Sequence, residues 1–88
     1  MSKKICVVGA GHWGKNHIRT LHTLGCLKGV VDSQQIELDY CLNRYSYINA
    51  YSSVEHSLKN NYDGYIVATP ADTHYKVAKK IIESGKPI

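Results

Sequence analysis

Apolar residues follow two rhythms along this chain. Lys3-Lys4 lead into Ile5-Cys6-Val7-Val8, an unbroken apolar run that stops at Gly9. A short continuous run bounded by glycine predicts a strand over residues 3–9, buried on both faces as in a parallel sheet. After Gly14 the period lengthens. His17, Ile18, Leu21 and Leu24 fall on one helical face, and Gly25 stands where a helix ends. Leu27 to Val31 predicts a second strand, closed by Asp32. Ile36, Leu38, Tyr40, Cys41 and Leu42 predict a helix over 34–44, Tyr47 to Tyr51 a third strand, and Val54 to Leu58 one or two helical turns. Residues 63–69 hold Tyr65-Ile66-Val67-Ala68, a further buried strand that Pro70 ends. His74, Val77, Ala78, Ile81 and Ile82 then recur at helical spacing, with Lys76, Lys79, Lys80 and Glu83 opposite. Asp72 or Thr73 offers the cap of this last helix, and Gly85 and Pro87 mark its end.

Strand and helix thus alternate throughout, which predicts an α/β fold: a partial, doubly wound parallel sheet of four to five strands with helices on both faces. The expectation is a single domain over residues 1–88, with strands in the order 3-2-1-4. On that order the chain stops after the fourth strand. Tyr65 to Ala68 would lie at an edge, with Lys86 to Ile88 supplying only the first residues of a fifth strand. Such an edge predicts pairing with a second copy, or docking onto a separately encoded substrate domain.

Composition narrows the function classes. At 43% apolar and 20% charged residues, the chain reads as a compact soluble domain rather than a disordered one. Its formal net charge of +4 is scattered along the sequence, and the Lys76, Lys79, Lys80 stripe reads as a solvated helix face. No nucleic-acid partner is expected from that pattern. Cys6, Cys26 and Cys41 are too widely spaced for a metal pair, and their odd number gives no disulfide framework. The opening apolar run is too short for a signal-peptide core or a membrane span, so no membrane partner and a cytoplasmic location are expected. His12, His17 and His22 recur every five residues, so on a helix they diverge and no metal site is expected.

The chemistry lies at the turns. Gly9-Ala10-Gly11-His12-Trp13-Gly14 follows a buried strand and opens a helix. In that setting Gly9 makes the tight turn, Gly11 lets a pyrophosphate approach the backbone, and Gly14 lets helix and strand pack closely. The first helical amides, from about His12 to Lys15, then face the phosphates. The competing reading is an ordinary turn of an unrelated α/β fold. Asp32 ends the second strand, where a carboxylate accepts hydrogen bonds from ribose hydroxyls and repels a 2′-phosphate. No arginine follows it, only Ser33, Gln34 and Gln35, which predicts NAD rather than NADP. Asp32 also suits a turn or a helix N-cap. Thr69 and Pro70 end a strand on the rim where open sheets bind ligands. His74 suits a cofactor contact and a core or capping role alike. A cofactor-side residue, or a lid over the helix start, describes Trp13.

Taken together, Val7 to His17, Val30-Val31-Asp32, Ala68 to His74 and Glu83 to Pro87 resemble the N-terminal domain of the Gfo/Idh/MocA oxidoreductase family. The resemblance implies NAD as cofactor, held by Gly9, Gly11, His12, Trp13, Gly14 and Asp32, with Thr69, Pro70 and His74 toward the nicotinamide half. It implies hydride transfer on a sugar, nucleotide sugar or polyol. The stretch Gly11 to His17 looks most like members that oxidise nucleotide-linked amino sugars. The family's Glu-Lys-Pro motif and substrate domain would follow Ile88, so no catalytic residue carries over and the chain reads as a truncated domain. The alternatives are a non-enzymatic remnant or nucleotide-binding module and, less well matched by Asp32 with Thr69-Pro70, a flavin- or S-adenosylmethionine-binding protein.

Overall fold

A computed structural model describes residues 3–88, so Met1 and Ser2, the opening of the expected domain, lie outside it. Four strands and four helices alternate: β1 Ile5–Val8, α1 His12–Leu24, β2 Leu27–Val31, α2 Gln35–Arg44, β3 Asn49–Tyr51, α3 Val54–Ser57, β4 Gly64–Val67 and α4 Ala71–Glu83. The strands form one parallel sheet, as the alternation predicts, in the order β3-β2-β1-β4 expected of the Rossmann arrangement. β1 is therefore central. It pairs with β2 on one side and β4 on the other, and Cys6, Val7 and Val8 are buried.

Helices cover both faces. α1 and α2 close over Val7, Ile18, Leu27, Val30, Leu38, Cys41 and Ile48. On the opposite face α3 and α4 close over Cys6, Val8, Val31, Tyr62, Tyr65 and Ile81. Leu27 and Val30 share the first face although they are three residues apart, which strict alternation forbids. The register explains it. Ile5 pairs with Leu27 and Cys6 with Gly29, so Lys28 is skipped and the face changes at that irregularity.

α1 ends as its glycine predicts. Gly25 takes a left-handed φ of 75°, and its amide and that of Cys26 donate to carbonyls of the last turn. Several expected boundaries move. Helix α1 begins at His12, inside the glycine loop, rather than after Gly14. α4 begins at Ala71, so neither Asp72 nor Thr73 caps it. Instead the amides of Thr73 and His74 and the Thr73 hydroxyl donate to the Pro70 carbonyl. β3 is confined to Asn49–Tyr51, because Tyr47 and Ile48 belong to the turn before it. His17, Leu24 and Ile82 were expected on covered helix faces and are exposed. At the β4 edge, the Tyr65 amide donates to the Pro87 carbonyl at 2.9 Å, so the last residues cover the start of that edge.

Candidate functional site: a cleft beyond the strand ends

The carboxyl ends of the strands open on a cleft of about 710 Å³. Its walls are four connections: the glycine loop with the start of α1, Asp32 to Gln34 after β2, Ser52 to Glu55 after β3, and Ala68 to Thr73 after β4. Glu37, Val77 and Lys80 complete it from α2 and α4. The topology requires this clustering, since every strand of a parallel sheet ends on the same side.

The glycine loop is shaped by contacts that no side chain would permit. Gly9 has a φ of 102°, and a Cβ there would stand 2.8 Å from the Ala68 carbonyl oxygen. At Gly14 a Cβ would collide with the Gly9 carbonyl, so the first turn of α1 rests directly on the loop backbone. A Cβ at Gly11 would meet nothing within 4 Å. That open position beside the N-terminus of a 13-residue helix leaves a concave, amide-lined cradle suited to a pyrophosphate. No acidic side chain lies in the first turn of α1 to oppose an anion.

Asp32 is fixed in place. Its Oδ2 accepts a 2.7 Å hydrogen bond from the Ala10 amide, and its Oδ1 a 2.8 Å bond from the Gln34 amide. One carboxylate therefore makes the turn and lines the cleft, and it ties the glycine loop to the end of β2. An ionised carboxylate offers about four lone-pair sites, so two such bonds leave acceptor capacity facing the cleft. Gly9 and Asp32 donate backbone bonds to Val31 and Tyr51 in turn, so the rim of β1, β2 and β3 is laced together. Thr69 lines the cleft, and its hydroxyl oxygen is buried without a partner. A buried unpaired hydroxyl is costly unless a ligand completes it. These features fit a dinucleotide.

Most of the residues singled out in the sequence meet here. Gly9, Gly11, His12, Trp13, Asp32, Thr69 and Pro70 line the cleft, and Gly14 lies buried beneath it. Trp13 is 72% exposed at the mouth, with the His12 ring edge-on to it at 5.7 Å. His74 does not line the cleft. It is exposed on α4, which excludes the core role considered for it. Ser52, Ser53, Glu37, Glu55, Val77 and Lys80 are lining residues that the sequence reading passed over. Ser52 and Ser53 could have been found, since they directly follow a strand on the ligand-binding rim. Lys80 bonds Glu55 at 2.6 Å across α3 and α4, which holds the Glu55 carboxyl below its usual range. Among the described residues no cluster of His, Cys, Asp and Glu could hold a metal, and no helix is long and apolar enough to cross a membrane.

Comparison with known proteins agrees with this geometry. The family model described as "Oxidoreductase family, NAD-binding Rossmann fold", of the Gfo/Idh/MocA group, matches residues 3–88. Comparison with proteins of curated function finds no match. Among solved structures, the WlbA dehydrogenase of Bordetella pertussis in complex with NADH and UDP-GlcNAcA superposes with a TM-score of 0.86 at 23% identity. It covers 98% of this chain and 28% of its own. Scyllo-inositol dehydrogenase of Lactobacillus casei, with bound NAD(H) and scyllo-inositol, gives 0.88 at 20% identity, covering 98% of this chain and 26% of its own. UDP-N-acetylglucosamine 3-dehydrogenase GnnA of Acidithiobacillus ferrooxidans gives 0.86 at 26% identity, covering 98% and 27%. The chain thus spans little more than a quarter of the length of these proteins. With the family match over residues 3–88, and with strand order, glycine loop and β2 carboxylate in agreement, the chain belongs to the Gfo/Idh/MocA oxidoreductase family and corresponds to its NAD-binding Rossmann domain.

Proposed function

We propose that this chain is the cofactor-holding part of a dehydrogenase that moves hydride between NAD and an alcohol carbon of a sugar, nucleotide sugar or polyol. The observation that carries the reading is Asp32, clamped between the Ala10 and Gln34 amides with free lone pairs toward the cleft. Gly9, Gly11 and Gly14 shape the pyrophosphate cradle, the first amides of α1 bind its charge, and His12 and Trp13 flank it. Thr69 and Pro70 hold the nicotinamide half. NAD, when bound, supplies the hydride acceptor; these residues orient it and fix its register. His74 has no part in this cleft. The substrate class rests on the likeness to dehydrogenases solved with an inositol or a UDP-sugar acid. Hydride transfer also needs a substrate in near-attack geometry and an acid/base group in reach. We assign both to parts of the protein outside these 88 residues, so the chain alone binds cofactor without turnover.

Calorimetry on the purified chain tests the reading. NADH should bind more tightly than NADPH, and Asp32→Ala should narrow the difference by about tenfold, the worth of one charge-assisted contact. Tighter binding of NADPH by the wild-type chain would overturn the assignment of Asp32. Reduction of NAD with a polyol or sugar nucleotide, contaminating enzyme excluded, would overturn the assignment of the catalytic groups elsewhere.

A further inference from the structure

A second carboxylate stands at the ribose end of the cleft. Glu37, in the first turn of α2, lines the cleft with Asp32, Ser33 and Gln34. Its Oε1 accepts a 2.8 Å hydrogen bond from Lys15 Nζ, which reaches across from α1. The two side chains keep only 30% and 26% of their exposure, so solvent screens this pair less than a surface one. Lys15 is held from a second side as well, its Nζ lying 4.7 Å from the centre of the Tyr40 ring. Lys15 lines the neighbouring hollow between α1 and α2 and meets the cleft through Glu37, so its charge is already engaged.

We propose that Glu37 is a second determinant of dinucleotide choice, and that Lys15 is a phosphate ligand kept out of use by it. The proposal rests on reading the cleft as a dinucleotide site with its ribose at Asp32. A 2′-phosphate carries close to two negative charges. In this cleft it would face Asp32, face Glu37, and find Lys15 neutralised. In the pair the two charges offset each other toward a phosphate, so removing the Glu37 charge acts through Lys15, which is released to make a charge-assisted bond to phosphate. A residue acting only through packing would weaken NADH and NADPH alike, so the ratio of the two affinities separates the roles.

The experiment is calorimetric titration of the purified chain with NADH and with NADPH at one fixed ionic strength. In Glu37→Gln the NADPH-to-NADH Kd ratio should fall about five- to tenfold. Glu37→Asp, which keeps the charge, should leave the ratio close to wild type. In the Glu37→Gln, Lys15→Met double variant the gain should largely vanish. Should Glu37→Gln fold poorly, Lys15→Met alone serves from the other side: it bares the Glu37 charge and should raise the ratio. An unchanged ratio in Glu37→Gln, or a gain that survives loss of Lys15, would overturn the proposal while leaving the dinucleotide site intact. A wild-type chain that binds neither nucleotide would overturn the site reading itself, and this proposal with it.

Discussion

The two faces of the sheet are closed by different means. Under α1 and α2 the core is aliphatic: Val7, Ile18, Leu27, Val30, Leu38 and Ile48 fill the space by shape. Under α3 and α4 the core carries hydroxyls inward. Tyr51 and Tyr62 bond each other at 2.8 Å, Ser57 Oγ meets the Tyr65 hydroxyl at 3.2 Å, and Ser57 donates to the Val54 carbonyl at 2.6 Å. The helices differ accordingly. α1 is seated backbone to backbone on the loop through Gly14, whereas α4 has Ile81 as its buried residue; both helices leave large apolar residues exposed, Trp13 and Leu24 on α1 and Tyr75 and Ile82 on α4. α1 is thus seated on loop backbone, whereas the hydroxyl network joins α3 to β3 and β4, and α4 meets α3 through the Lys80–Glu55 pair, contacts that sequence periodicity does not register.

The largest test of this contrast compares two fully buried isoleucines. Ile18→Ala should cost about 3–4 kcal/mol, and Ile81→Ala about 2 kcal/mol, because α1, pinned to the loop backbone through Gly14, is less able to close around the lost volume. Urea unfolding of both variants measures the difference. Equal losses would mean that α4 is as firmly seated as α1.

Polar substitution should separate the faces next. Val30→Thr places a hydroxyl with no partner in the aliphatic core and should cost about 1–3 kcal/mol. Tyr65→Phe removes one member of a network in which Ser57 keeps its bond to Val54, and should cost only about 1 kcal/mol. A larger loss at Tyr65 than at Val30 would show that the network, rather than shape, dominates the core.

A titration confined to the tyrosine face gives a further test. Burial pushes the Cys6 thiol from 9.0 up to about 12, and it also raises the Tyr62 and Tyr65 phenols above 10.0. Raised acids hold their protons more tightly in the folded chain than in the unfolded one. The Cys6 contribution is whole below pH 9 and is lost as pH rises from 9 toward 12, by roughly 1 kcal/mol per pH unit. The two tyrosines steepen the decline only above pH 10.0. Thermal melts of the wild-type chain and Cys6→Ala check it: the variant should show the shallower decline.

Much of the fold was legible in the sequence because its signals are local. Val7 and Val8 before Gly9, and Leu21 and Leu24 before Gly25, each mark an element and its end within a few residues. Alternation predicted the parallel sheet, and its strand order followed from taking the usual Rossmann arrangement. The failures have one cause. Helical period identifies an apolar stripe, but whether another element lies against it is decided elsewhere in the chain, so Leu24 and Ile82 look like core residues and face solvent. At the cleft, Gly9 and Gly14 were legible because backbone geometry demands glycine there, and Asp32 because it closes a strand on the rim. Glu37, Glu55 and Lys80 were not, since charged residues on helices look alike in sequence until the fold sets them around one cleft. Asp32 taught the opposite lesson: the turn role does not compete with a place in the cleft, since the carboxylate that holds the Ala10 and Gln34 amides also lines it.

The central position of β1 also bears on how the chain folds. β1 precedes the other strands, yet its second neighbour, β4, comes last, and the Lys4 amide meets Asp63 across 59 residues. Closing so long a loop is entropically slow, and parallel pairing admits no tight hairpin to seed it. Until β4 arrives, Cys6, Val7 and Val8 present an apolar strand with one open edge, open to wrong partners. The strand that ends in the glycine loop is therefore among the first made and the last completed, and the cleft takes shape only when nearly all of these residues are in place.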